Sequence, residues 1–243
     1  MLKLRTNKRG THVGMIVSFL IFVTFLAFLY SVLEPATQVK QDKLDLQEYI
    51  KVELLKEFTA EMSILNLEVN NINVCFSLNI QGLEDTGVVV KDSQEHIIIS
   101  SFNWQDDETY LVDEGDGRLK AYYSNEFSNG NGNIIFDDCI KISTPEDYNI
   151  SIFRTEEDFF NSSIIELTEY INANPNNYEE IKTKLKISSG DEFGFAFKDE
   201  NKTLIIATQE KNVSANVYVE EIPIQYIDSE ANINQGFLDI RVW

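Results

Sequence analysis

The chain has 243 residues, of which 40 are acidic and 20 basic, for a formal charge of -20, and 43% are hydrophobic. That apolar content is ordinary for a packed globule and excludes disorder as the state of the bulk. A surface so negative repels phosphate, which excludes nucleic acid as a partner and leaves cations or basic proteins as the ligands that charge favours.

The first element is a run from Val13 to Leu33 without a charged residue. At about 1.5 Å rise per residue, about 20 such residues span a hydrocarbon core of about 30 Å. Backbone groups in lipid must be hydrogen-bonded within their own segment, so the run is expected to be a transmembrane helix, taken as 11–34. Lys3, Arg5, Lys8 and Arg9 precede it, whereas Glu34, Asp42 and Asp45 follow. By the positive-inside bias, residues 1–10 form a cytoplasmic basic leader and the remainder lies outside the cell, in a single-pass arrangement with membrane lipid around the helix. A cleavable secretory signal has a shorter apolar core and a small-residue cut site, which Leu33-Glu34-Pro35-Ala36 does not supply.

Lys8-Arg9-Gly10 followed by Thr11 and the apolar run resembles the prepilin leader of archaeal type IV pilins, in which a basic pair and a glycine stand before the hydrophobic helix. The resemblance implies cleavage between Gly10 and Thr11 by a prepilin peptidase, retention of the helix, and assembly with other pilin-like subunits into a surface filament. Met15, the fifth residue after that cut, stands where many bacterial major pilins carry glutamate, which points to a minor subunit. An uncleaved signal anchor carrying an extracellular binding or cell-envelope module accounts for the same charges and the same helix.

Pro35 removes a helical hydrogen bond and is expected to kink or end the membrane helix. Beyond it, Leu44, Leu46, Ile50, Leu54, Leu55, Phe58 and Met62 recur with helical spacing, so an amphipathic stalk helix is expected over 35–62. Pilins resemble this plan, a long N-terminal helix bare over one half and packed on a β domain over the other; a plain juxtamembrane linker helix shares the pattern. A β domain is expected over 63–150. Its strands are Leu67 to Ile80, interrupted at Asn70-Asn71, then Val88–Val90, Ile97–Ser101, Tyr110–Val112, Leu119–Tyr123 and Ile134–Phe136. Asp113 to Gly117 and Asn129 to Asn133 read as hairpin connections, because Gly and Asn tolerate positive φ.

From Glu156 to Lys186 the apolar period changes to that of two short helices around Asn174-Pro175-Asn176-Asn177. Strands follow at Phe193–Phe197, Thr203–Thr208, Ala215–Tyr226 and Gly236–Val242, within a C-terminal α+β part taken as 151–243. The fold class is therefore α+β: a transmembrane and stalk helix, then a mainly antiparallel β ectodomain with two short helices. The segments Asp191 to Phe197, Asn216 to Ile227 and Gly236 to Trp243 are similar to those of archaeal pilin-like proteins, and with the leader and helix they extend the resemblance over about half the chain. It brings no catalytic residues with it.

Cys75 and Cys139 both lie in the part placed outside, where they can pair; a disulfide closing about 65 residues is worth on the order of 4 kcal/mol in the chain-entropy model. Two unpaired buried thiols are the other reading, given the apolar flanks. Sequons at Asn149, Asn161, Asn201 and Asn212 mark glycosylation positions, although an asparagine-rich chain produces such matches by chance. Asp106, Asp107, Asp113, Glu114, Asp116, Asp137 and Asp138 cluster in expected loops, where calcium, a hard cation that takes several oxygen ligands, is the best of the weak candidates, but the spacing matches no EF-hand and solvated turn carboxylates explain them. His12 lies at the membrane edge and His96 before an apolar strand, in an ordinary, partly buried role. No zinc spacing, nucleophile elbow or phosphate-binding loop occurs, so no metal, cofactor or enzymatic activity is expected.

Overall fold

In the computed structural model the described residues are 10–69, 75–78, 86–98, 100–103, 108–112, 117–127, 140–142, 148–209 and 216–243. The chain divides into two compact units, Met1–Glu48 and Tyr49–Trp243. The first contains most of α1 (Gly10–Glu57), a helix of 48 residues. It continues through Pro35, so the proline does not end it as one of the two expectations had it. The helix stops at Glu57 rather than Met62: Phe58 occupies a turn, and Thr59 enters the first strand while its hydroxyl donates to the Leu55 carbonyl at 2.7 Å. Phe58 and Met62 fit helical spacing, but Met62 also begins the alternation with Ile64 that buries one face of a strand, and the sheet pairing decides between the two.

Among the described residues the second unit contains three four-stranded sheets. One orders β3 (Gly87–Lys91), β6 (Arg118–Ser124), β1 (Thr59–Val69) and β8 (Tyr148–Phe159), all antiparallel. Register explains its burial: Leu65 opposes Ala121, and Ala121 opposes Val90, on one face, while Ile64 opposes Tyr122, and Tyr122 opposes Val89, on the other. Each face is covered. Leu65, Leu67, Val69, Val88, Val90 and Tyr123 pack with Ile98 on the first; Met62, Ile64, Val89 and Tyr122 pack with Phe127, Phe160 and Ile227 on the second. Burial on both sides suits the unbroken Val88-Val89-Val90 run. Gly87 lies so close to the Phe127 loop that an added Cβ would meet the Phe127 carbonyl oxygen at 2.1 Å. The boundary expected at residue 151 falls inside β8, which pairs along the length of β1.

A second sheet orders β4 (Ser100–Asn103), β5 (Glu108–Val112), β2 (Cys75–Leu78) and β7 (Ile140–Ile142). Its β2–β7 pairing is parallel, with Phe76 opposite Ile140. The run expected from Leu67 to Ile80, with a bulge or turn at Asn70-Asn71, is divided between β1 and β2, which lie in different sheets; the Asn70-Asn71 interruption itself lies outside the described residues. So do the expected strand Ile134–Phe136, the Asn129 to Asn133 connection and, apart from Gly117, the Asp113 to Gly117 connection.

The third sheet orders β10 (Leu204–Ala207), β9 (Phe193–Asp199), β12 (Ile233–Val242) and β11 (Tyr218–Ile227), all antiparallel. Phe193, Phe195 and Phe197 alternate along β9 and pair with Val242, Ile240 and Leu238, and all six are at most 1% exposed. Between β8 and β9 come α2 (Asn161–Ala173) and α3 (Pro175–Lys184). Asn174 separates them: its Oδ1 accepts from the Asn176 backbone N–H at 2.9 Å, and Pro175, which has no N–H to satisfy, occupies the first turn. Tyr178 of α3 stacks on Phe193 with ring centroids 5.3 Å apart.

Candidate functional site

The chemistry of the first unit is that of its surface. Every residue from His12 to Glu34 is exposed, including Phe19, Phe22, Phe25 and Phe28. An 18-residue window of α1 has a mean hydropathy of 2.6, so by length and composition the helix can cross a membrane. Thr24 closes its polarity locally, its hydroxyl lying within donating distance of the Leu20 and Ile21 carbonyls at 3.0 and 2.9 Å. Gly10 is the first helical residue described and Thr11 the second.

In the second unit, the end of α1 is a packing surface. Ile50, Leu54 and Phe58 are wholly buried, and the Phe58 ring meets Phe195 of β9 edge-on at a centroid separation of 5.5 Å. Lys51 reaches Glu220 of β11 at 3.1 Å, and Lys184 of α3 pairs with Glu57. Apolar side chains are exposed throughout Val13–Leu33, whereas Ile50, Leu54 and Phe58 are buried and Val52 stays exposed, so one stretch of chain supplies two kinds of surface.

Polar clusters lock the third sheet. Tyr178 Oη donates to Glu192 Oε2 at 2.6 Å and accepts from the Phe193 backbone N–H at 3.0 Å; burial first, then the bond to Glu192, push its ionisation far above the usual tyrosine range. Lys182, 4% exposed, pairs with Glu192 Oε1 at 3.0 Å. On the outer face, Lys198 bridges Asp239 and Glu221, and Lys202 also reaches Glu221. Hydrogen bonds from Lys202 and Lys198 hold the Glu221 carboxyl below the carboxylate range. In the β11–β12 connection, burial raises the Asp228 carboxyl, but bonds from the Asn232 and Glu230 backbone and from the Asn232 and Asn234 side chains outweigh it and hold it low. None of these clusters places a nucleophile beside a base in an open cleft, and no group of three or more His, Cys, Asp or Glu suited to a metal occurs among the described residues.

The residues singled out from the sequence scatter. Asn149 in β8 and Asn201 in the β9–β10 turn are exposed, Asn161 at the start of α2 is half-buried, and Asn212 lies outside the described residues. Cys75 opens β2; Cys139, outside the described residues, is the sequence neighbour of Ile140, as Cys75 is of Phe76, and Phe76 and Ile140 are opposed in the parallel pairing. Asp106, Asp107, Asp113, Glu114, Asp116, Asp137 and Asp138 all lie outside the described residues. His12 is exposed on α1. His96 is exposed rather than partly buried, in the turn after β3, where its Nδ1 lies 3.2 Å from Asp92 Oδ2. Sequence reasoning passed over Lys91 and the Asp228–Asn234 turn. The one available signal was Asp228-Ser-Glu-Ala-Asn232 between two apolar runs, a composition that favours side-chain-closed turns.

No protein-family model, no curated protein and no solved structure matches the chain.

Proposed function

We propose that the chain is a type IV pilin-like subunit of the minor kind, anchored in the membrane through α1 and then built into a surface filament or its assembly and adhesion apparatus. The observation that carries this reading is the division of labour along α1 and the turn that follows it: an exposed apolar surface over Val13–Leu33, then burial of Ile50, Leu54 and the turn residue Phe58, whose ring meets Phe195 of an antiparallel sheet. A helix with an apolar surface all round is stable only in lipid or against other apolar helices, and a filament core made of copies of the same helix meets that requirement as a bilayer does.

The Lys8-Arg9-Gly10 leader supports processing before Thr11, and the basic residues before the helix support an extracellular second unit. An extracellular setting agrees with a disulfide between Cys75 and Cys139, since their sequence neighbours Phe76 and Ile140 face one another. Asn149 and Asn201 are then the sequons open to glycosylation, both being exposed.

Electron microscopy of producing cells from which the chain has been deleted tests the reading. Filaments should be lost, shortened or unable to adhere, and return when the full chain is supplied. Filaments unchanged in number, length and adhesion, with the native chain found only in the membrane fraction, would leave a plain membrane-anchored ectodomain in its place.

A further inference from the structure

Lys91 ends β3 with a side chain that is 2% exposed. Its Nζ donates to Asn232 Oδ1 at 2.7 Å and to the Ala231 carbonyl at 3.0 Å, and lies 5.6 Å from the centre of the Tyr122 ring. These partners are all neutral, and among the described residues no carboxylate forms an ion pair with it. An ammonium group held this way exchanges hydration for neutral partners, with the Asp228 carboxylate reached only through the Asn232 amide, and this carries a desolvation cost. Conversion of the amine to an amide removes that cost.

The partner is held for such a conversion. Asn232 turns its Oδ1 to the lysine and its Nδ2 to Asp228 Oδ2, at 3.1 Å. The same carboxylate accepts from the Asn232 and Glu230 backbone N–H groups and from Asn234 Nδ2, so the turn is closed around it and the amide has one orientation that satisfies both neighbours. The carbon bonded to Oδ1 is thus set beside an amine, and the nitrogen that would depart is set beside an acid–base group. Fixed juxtaposition of this kind replaces a collision between free reactants.

We propose that Lys91 and Asn232 condense into an intramolecular isopeptide bond. Nζ attacks Asn232 Cγ, the Cγ–Nδ2 bond breaks, and a Cγ–Nζ amide forms. The lysine ammonium gives up two protons, Asp228 relays them to Nδ2, and the nitrogen leaves as ammonium, carrying away the positive charge that the lysine brought. No oxidant, metal or nucleotide enters the balance. The bond ties β3 of the first sheet to the β11–β12 turn of the third across 141 residues of chain, and so fastens two sheets that otherwise meet through packing and the isolated Phe160–Ile227 bridge. It stands or falls apart from the pilin-like reading.

The test is the mass of the folded full-length chain, reduced to open any disulfide. The wild-type chain should be lighter by one ammonia than its composition requires, and a tryptic digest should yield a branched peptide joining Lys91 to Asn232 with no cleavage after Lys91. Lys91→Arg and Asn232→Ala should each have the mass of their composition. Asp228→Asn keeps both reacting groups and should slow cross-linking on the order of 10²–10⁴-fold, the usual contribution of a positioned acid–base group. A wild-type chain at full mass, giving a linear peptide that ends at Lys91, overturns the proposal without recourse to any variant. Asp228→Asn cross-linking at the wild-type rate would overturn the proton relay.

Discussion

Phe58→Ala tests the claim that the end of α1 belongs to the core of the second unit. Phe58 is wholly buried and meets Phe195 edge-on at 5.5 Å. Truncating a buried phenylalanine costs about 3–5 kcal/mol through lost transfer energy and the cavity left behind, with the aromatic pair contributing about 0.5–1.5 kcal/mol of that. Against a total stability of about 5–15 kcal/mol the loss is large, and for a domain of this size it lowers the melting temperature by roughly 2–4 °C per kcal/mol. Urea unfolding of the full chain in detergent, followed by tryptophan fluorescence, should show a lower midpoint with an unchanged slope. Phe19→Ala, on the exposed part of α1, serves as the control and should leave the midpoint where it is. If Phe58→Ala shifts stability by less than about 1 kcal/mol, or if Phe19→Ala shifts it equally, the division of α1 into a bare part and a packed part is refuted.

Other consequences can be checked separately. Gly87→Ala puts a Cβ 2.1 Å from the Phe127 carbonyl oxygen, a backbone atom, and should cost about 1–3 kcal/mol in the same urea assay. Tyr178→Phe leaves Glu192 and the Phe193 N–H short of a partner in a buried site and should cost about 1–3 kcal/mol. Because the Asp228 carboxyl is held low in the folded chain, its contribution is complete above the ordinary carboxyl range and is lost as pH falls through its own lower value. The urea midpoint should therefore fall on acidification, and Asp228→Asn should flatten that limb. Cys75→Ser and Cys139→Ser should each slow migration on a non-reducing gel and lower stability by similar amounts, on the order of 4 kcal/mol.

The strands were legible where burial has a simple period. Phe193, Phe195 and Phe197 alternate, as do Leu238, Ile240 and Val242, and each set lies on the buried face of the third sheet. Val88–Val90 read as a strand because three β-branched residues in succession suit a position buried on both faces. The end of α1 was harder to place, because Phe58 and Met62 satisfy helical spacing and no glycine or proline marks the change. What moved the boundary back to Glu57 is pairing of Thr59 with Phe159, a residue 100 positions away. The parallel β2–β7 pairing was hidden for the same reason, since local periodicity carries no record of which strands become neighbours. Lys91 gave still less notice: a lysine after three valines reads as the polar end of a strand, and only the fold brings Asn232 to it. The apolar part of α1 was plain from composition, because a run without charge from Val13 to Leu33 leaves few physical alternatives.

The proposed role depends most on the fate of α1, and the first residue of the mature chain tests it directly. Mass spectrometry of the protein recovered from sheared surface filaments and from membranes should find a chain that begins at Thr11 and keeps the whole apolar helix. A chain that still carries Met1 in both fractions, or one cut after the apolar helix, would contradict it.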